Sequence, residues 1–380
     1  MKLEPFLMER EQSTYEHRVA VNLSESGVDP LTVGGLLDLA GASPETVLDQ
    51  RLIYTQTNGS DELRAAVAEI YGVTAGDAAG GSEVLMTTGC AEANLLVTWH
   101  LVEPGDEVVM LTPNYMQTWG LVRSFGANVR EWRMRPENGR WTVDLDELAT
   151  LVNDKTRLIL LCNPNNPTGA CLDADILDGI AGIAARHGAW ILSDEVYRGA
   201  ENAAEDAPET PTMWGRGERI AVTCGLSKAY GLPGLRIGWV TAPADTIEAL
   251  WSRHDYTTIC PSAVSDRLAR LALDPVVRPQ IRARCRRIIR ENLAIVTGWL
   301  DSFGDFFDYV PPEAAAITYT RYHHRMGSTE LATRLREEKD VLVVPGDHFL
   351  MDGYLRLGFG EDLAVLEDGL GRIRDLLNDL

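Results

Sequence analysis

Short β-rich runs near residues 83–87, 107–111, 128–133, 157–162, 189–193, 220–224 and 237–240 alternate with helical stretches through the middle of the chain. Parallel neighbours need a long connection, and a helix supplies it while covering the apolar strands, so the alternation predicts a mostly parallel sheet with crossover helices on both faces. Beyond residue 245 the pattern turns helical, notably over 262–302. The tail then carries β-runs near 315–322, 341–344 and 354–357, with helices near 328–338 and 364–378. It reads as a small α+β domain closing over the large one. The expected fold is therefore α/β: a three-layer α/β/α large domain with a mostly parallel seven-stranded sheet, plus the small α+β domain. The expected division is an arm and part of the small domain over 1–40, the large domain over 41–260 and the small domain over 261–380. A chain of 380 residues is too long for one small core. Gly76 to Gly81 reads as a loop.

A formal net charge of −21 argues against a broad nucleic-acid or anionic-membrane surface, which needs clustered Lys and Arg. The basic stretch Arg282-Ala283-Arg284-Cys285-Arg286-Arg287 reads instead as a solvated or salt-bridged helix face. Six cysteines without CxxC spacing point away from a zinc site or disulfide framework and toward a reduced cytosolic protein. The start, Met1-Lys2-Leu3-Glu4-Pro5, does not read as a signal peptide. No apolar stretch approaches the roughly 20 residues that span a bilayer.

In a sheet of this kind, ligands bind beyond the carboxyl ends of the strands. The loops after the runs are where chemistry is expected. After the sixth run, Lys228 sits on a turn that leads through Pro233-Gly234 to Arg236 and the next run. Two cations near one loop can hold a phosphate-bearing aldehyde, the lysine as a Schiff base and the arginine as a phosphate clamp, or they can be solvated surface groups. After the first run, Gly89-Cys90-Ala91 opens a helix whose free N–H groups favour an anion. After the fifth, Asp194 ends an apolar run, a costly place for a carboxylate without a cationic partner. The turn Asn163-Pro164-Asn165-Asn166-Pro167-Thr168-Gly169 follows the fourth run.

This ordered set resembles the class I/II aminotransferases, enzymes of fold type I that use pyridoxal 5′-phosphate (PLP). The resemblance runs from about residue 22 to 360. It rests on Ser227-Lys228 with Gly234-x-Arg236, on Gly89-x-x-Glu92-Ala93, on the Asn163–Gly169 turn, on Asp194-Glu195-Val196-Tyr197 and on Tyr54-x-x-x-x-Gly59-x-x-x-Leu63-Arg64. It implies Lys228 as the Schiff-base residue, Asp194 on the pyridine nitrogen, and Asn166 and Tyr197 on the phenolic oxygen. It implies Gly89, Cys90, Ala91, Ser227 and Arg236 around the phosphate. Tyr115 is implied on the pyridine face, with Trp119 as rival, and Arg356 on the substrate carboxylate. Gly27 would lie near that carboxylate and Asn166 near the substrate. Glu25 would pair with a cationic substrate tail or stand solvated. Tyr54 would reach the phosphate of the neighbouring subunit, which implies a homodimer with shared sites. The implied substrates are an L-amino acid and a 2-oxo acid, with no metal.

Two positions depart from the family pattern. Gly225 stands where a Ser or Thr usually meets the phosphate, so Thr223 or Ser227 would substitute. Pro312-Glu313-Ala314-Ala315-Ala316 replaces a Gly-Gly pair, and the added methyls would narrow the pocket. Ser24–Val28, Arg135–Gly139 and Ser227–Pro233 are similar to PLP-dependent cyclases of the capreomycidine synthase type, so elimination or cyclisation of an arginine derivative is the alternative activity.

Overall fold

The computed structural model describes residues 3–76 and 81–380. The loop expected at 76–81 thus lies mostly outside the described residues. The strands of the large sheet are β1 (Val84–Thr87), β2 (Glu107–Thr112), β3 (Asn128–Arg133), β4 (Thr156–Cys162), β5 (Trp190–Asp194), β6 (Ile220–Gly225) and β7 (Gly238–Thr241). They order as β1-β7-β6-β5-β4-β2-β3. β7 runs antiparallel to both neighbours, and the other pairings are parallel. The exception has a plain cause. Parallel steps need a crossover, usually a helix, whereas the 226–237 connection from β6 to β7 holds only the three-residue helical turn Pro233–Leu235 and reverses the chain.

Alternation along the strands splits the core between the two faces. Leu85, Val108, Met110, Leu158, Leu160 and Val240 pack with Leu96, Val97 and Leu101 of the Cys90–Leu101 helix. Their sequence neighbours Met86, Val109, Leu111, Ile159, Leu161 and Trp239 pack the opposite face with Leu177 and Ile180 of the Ala174–His187 helix. A period of two makes both faces apolar, so both must be covered. That is the three-layer arrangement.

The second sheet is antiparallel. Phe307–Tyr309, Ile317–Tyr322, Tyr354–Gly358 and Val344–Pro345 lie side by side in that order. Its first strand is too short and mixed to stand out in the sequence. The chain start is tied to this end of the molecule. Val21–Asn22 pairs in parallel with Val341–Leu342, and the Gly358 N–H donates to the Leu23 carbonyl at 2.7 Å. No Cβ would fit at Gly358, where it would stand 1.9 Å from the Glu25 carbonyl oxygen. This crossing carries residues 23–27 past the strand that bears Arg356. The basic stretch on the Val277–Asp301 helix is salt-bridged: Arg282 to Glu209 at 3.0 Å, Arg284 to Asp29 at 2.9 Å, and buried Arg286 to Glu201. Among the described residues, no helix is long and apolar enough to cross a membrane.

Candidate active site

Strand ends converge on a cavity of about 390 Å³. Lys228, Ser227 and Arg236 enter it from the β6–β7 loop, Cys90 and Ala91 from the helix after β1, and Tyr115 from the loop after β2. Asn166 arrives from the turn after β4, and Asp194 and Tyr197 from the end of β5. Arg356 comes from the small sheet and Glu25 from the N-terminal crossing. These residues, more than three hundred positions apart at the extremes, line one space.

Lys228 Nζ lies 3.3 Å from Glu25 Oε2, and the lysine's charge holds the Glu25 carboxyl below its usual range. Gly27 stands beside this pair: a Cβ on it would lie 3.5 Å from Lys228 Cδ. Asp194 is buried. Asn94 Nδ2 donates to its Oδ2 at 2.9 Å, and the Val196 N–H to its Oδ1 at 3.1 Å, with the Cys90 thiol 3.5 Å away. Among the described residues no cation pairs with it, and burial pushes its carboxyl upward. Tyr197 donates to Ser26 Oγ at 2.8 Å and accepts from Asn166 Nδ2 at 3.2 Å, and burial raises its phenol. Asn166 Oδ1 accepts from Arg356 at 2.9 Å. Arg356 also donates to the Ser24 carbonyl, while its buried Nε has no partner among the described residues. Burial lowers its pKa.

The end expected to hold a phosphate is a close backbone cradle. Gly89 has φ +83, and a Cβ there would sit 2.4 Å from an Arg236 guanidinium nitrogen. Arg236 Nη1 also approaches Ser227 Oγ at 3.4 Å. Gly225 is glycine for lack of space: a Cβ would lie 2.9 Å from the Ile237 carbonyl oxygen and 3.2 Å from Gly238 Cα. Gly225→Ser is expected to cost roughly 1–3 kcal/mol by overpacking, read as a lower denaturant midpoint. An unchanged midpoint would show that the backbone yields there.

The geometry bears on alternatives that the sequence left open. Thr223 does not replace the missing hydroxyl, because its own hydroxyl donates to Asn94 Oδ1 at 2.7 Å in the core. Of the two substitutes considered, Ser227 lines the cavity. Trp119 packs against the core, with Arg123 5.6 Å from its ring, and of the two candidates Tyr115 is the one at the cavity. Ala314, Ala315 and Ala316 are absent from the cavity lining, and Ala315 packs with Tyr197 and Ile317. Tyr54 is not brought to the cavity of its own chain; it is 80% exposed.

Asn94, Glu9 and Glu16 border the same space or touch Asp194, and the motifs in the sequence do not single them out. Each nonetheless carries a signal. Asn94 is a lone amide in an apolar helix start, and Met8, Glu9, Gln12 and Glu16 recur at the spacing of one helical face.

Glu195, next to Asp194, turns away from the cavity and accepts from the Met213 N–H at 2.8 Å. Burial raises its carboxyl from 4.5 to about 7. Between those values the folded chain holds a proton the unfolded chain has lost, so stability falls as pH rises through the window. Glu195→Gln does not titrate. Its melting temperature relative to the parent is therefore expected to climb between pH 5 and 8, and a pH-independent difference would refute the assignment.

The sequence pattern of the aminotransferase class I and II family matches residues 36–373. The chain belongs to that family of PLP-dependent enzymes. It is 34% identical to capreomycidine synthase of Streptomyces vinaceus, over 99% of this chain and 93% of that protein. A PLP-dependent aminotransferase from Streptococcus suis superposes with a TM-score of 0.91 at 34% identity, covering 100% of this chain and 99% of that one. The PLP-dependent cyclase OrfR superposes at 0.88 with 26% identity, covering 100% and 98%. The residues present suit PLP: an amine at Lys228, a glycine cradle beside Arg236 for a phosphate, and a buried carboxylate that no cation among the described residues pairs with, for a protonated ring nitrogen.

Proposed function

We propose that the chain is an aminotransferase that moves the amino group of an L-amino acid to a 2-oxo acid, with Lys228 as its reactive amine. The observation that carries this reading is the convergence of Lys228, Asp194 and Arg356 on one cavity. Bound PLP supplies a carbonyl that bonds reversibly to amines and a ring that accepts electrons. Lys228 Nζ, once free, takes the proton from the substrate α-carbon. Glu25, at 3.3 Å, stabilises the ammonium that forms. Asp194 would hold the ring nitrogen positive, and Asn166 with Tyr197 would bind the phenolic oxygen. Arg356, with its planar fork and unpartnered Nε, fits the substrate carboxylate. The Leu7–Tyr15 helix supplies Met8, Glu9 and Gln12 to the wall. Exposed Leu52, Ile53 and Tyr54 support a homodimer in which Tyr54 reaches the partner's site.

A second reading, cyclisation or elimination on an arginine derivative, is favoured by a specific observation. Glu9, Glu16 and Glu25 all line the cavity, and Glu16 is raised by burial and then by the nearby Glu25 charge. Crowded carboxylates are relieved by a cation, and a guanidinium tail supplies one. The similarity to capreomycidine synthase and to OrfR supports the same reading.

One titration separates the two. L-Amino acids are added singly to the PLP-loaded protein without any oxo acid, while cofactor absorbance is followed. Release of one equivalent of oxo acid per site supports transamination and names the donor. Continuing turnover of arginine or hydroxylated arginine, with no oxo acid needed, favours the second reading. An absorbance that no amino acid perturbs overturns both.

A further inference from the structure

Asp194 ends β5 in the core, where an ionised carboxylate must be held by donors or lose its charge. Its strongest neutral donor is Asn94, four residues into the helix after β1, at 2.9 Å. Asn94 is itself 1% exposed and lines the cavity. A carboxylate only accepts, so the amide must turn its NH2 toward Asp194 and its oxygen the other way. That oxygen meets Thr223 Oγ1 at 2.7 Å, which must then donate. Gln117 Oε1, 3.3 Å from Asn94 Nδ2, takes the second amide proton, and Gln117 is anchored by its own NH2 on the Ala91 carbonyl at 2.9 Å. The amide is thus clamped in one orientation from β6 and from the helix after β2. Burial raises the Asp194 carboxyl, and the Asn94 hydrogen bond is the largest influence opposing it.

We infer that Asn94, fixed by Thr223, is a positioning residue that keeps Asp194 ionised and aimed at the cofactor's ring nitrogen. This rests on the reading of Asp194 given above. It also accounts for Thr223, one of the two candidates for the phosphate: its hydroxyl is engaged by the amide. Thr223 is absent from the cavity lining, so its effect on a ligand passes through Asn94 and Asp194.

The test compares PLP with an analogue carrying C–H in place of the ring nitrogen. Dissociation constants for both are measured by equilibrium dialysis on the parent, Asn94→Leu, Thr223→Val, Thr223→Ser and Asp194→Ala. A hydrogen bond to a charged group implies that Asn94→Leu lowers the preference for PLP over the analogue by about tenfold or more. Thr223→Val is expected to lower it in the same direction, and Thr223→Ser, which keeps the hydroxyl, to retain it. If Asn94→Leu weakens both ligands equally, the residue only packs and the inference fails while Asp194 keeps its role. If Asp194→Ala also leaves the preference unchanged, the reading of Asp194 itself falls, and the relay with it. Should Asn94→Leu fold poorly, Thr223→Val decides between the same outcomes.

Discussion

Lys228→Ala is expected to reduce turnover by about 10³-fold or more while leaving the fold intact. General base catalysis alone contributes roughly 10²–10⁴-fold, and the same side chain is the amine that bonds the cofactor. It is also the one lysine among the described residues lining the cavity, so no neighbour can take over. Two measurements check this. Single-turnover rates give the loss, and borohydride treatment of the PLP-loaded parent should fix the cofactor to the peptide containing Lys228 but leave the variant unmodified. A variant retaining a tenth of the parent rate would end the assignment. Glu25 offers an independent reading. Lys228 is the first cause of its lowered carboxyl, so the pair's contribution is present above the ordinary carboxylate range and lost as pH falls through the depressed value. The variant has no such contribution to lose, and its acid unfolding should be correspondingly flatter.

Arg356→Gln should lower kcat/KM by roughly 10²–10³-fold, mostly through KM. Truncating one member of a buried, hydrogen-bonded charge pair costs roughly 2–5 kcal/mol. Arg356 is 1% exposed, held by Asn166 and the Ser24 carbonyl, with Nε left over. Such a group is costly to bury unless an anion completes it, and the α-carboxylate of an amino acid is that anion. The decisive comparison uses substrate amides, which lack the carboxylate charge. The parent should discriminate strongly against them and Arg356→Gln hardly at all. Equal discrimination by both would place the carboxylate elsewhere.

Much of this is legible in the chain because the relevant constraints are local. Short continuous apolar runs such as Leu158-Ile159-Leu160-Leu161 mark strands buried on both faces, and strand ends in a parallel sheet mark the site, so the loops bearing Lys228, Asp194 and Asn166 can be placed from the residues alone. Thr223 departs from expectation for a physical reason. Its hydroxyl lies near enough in sequence to the phosphate loop to look available, but which way it points is set by Asn94, on a different strand–helix unit. Trp119 and Tyr115 are both candidates in sequence, and only packing puts Tyr115, just before the Gln117–Ser124 helix, at the cavity and Trp119 against the core.

Local patterning and turn residues act over a few positions, and they sufficed for the α/β layering and for the loops expected to carry chemistry; the cofactor family came from the resemblance of those loops to the class I/II aminotransferases. The company each side chain keeps was decided only in the tertiary structure. Glu25 meets Lys228 across 203 positions, and Arg356 meets Asn166 across 190. The same holds for the lack of room for a hydroxyl at Gly225 and for the grip of Asn94 on Asp194. Such contacts depend on how separate elements dock, and docking is fixed by close packing of the whole core, which no short stretch encodes.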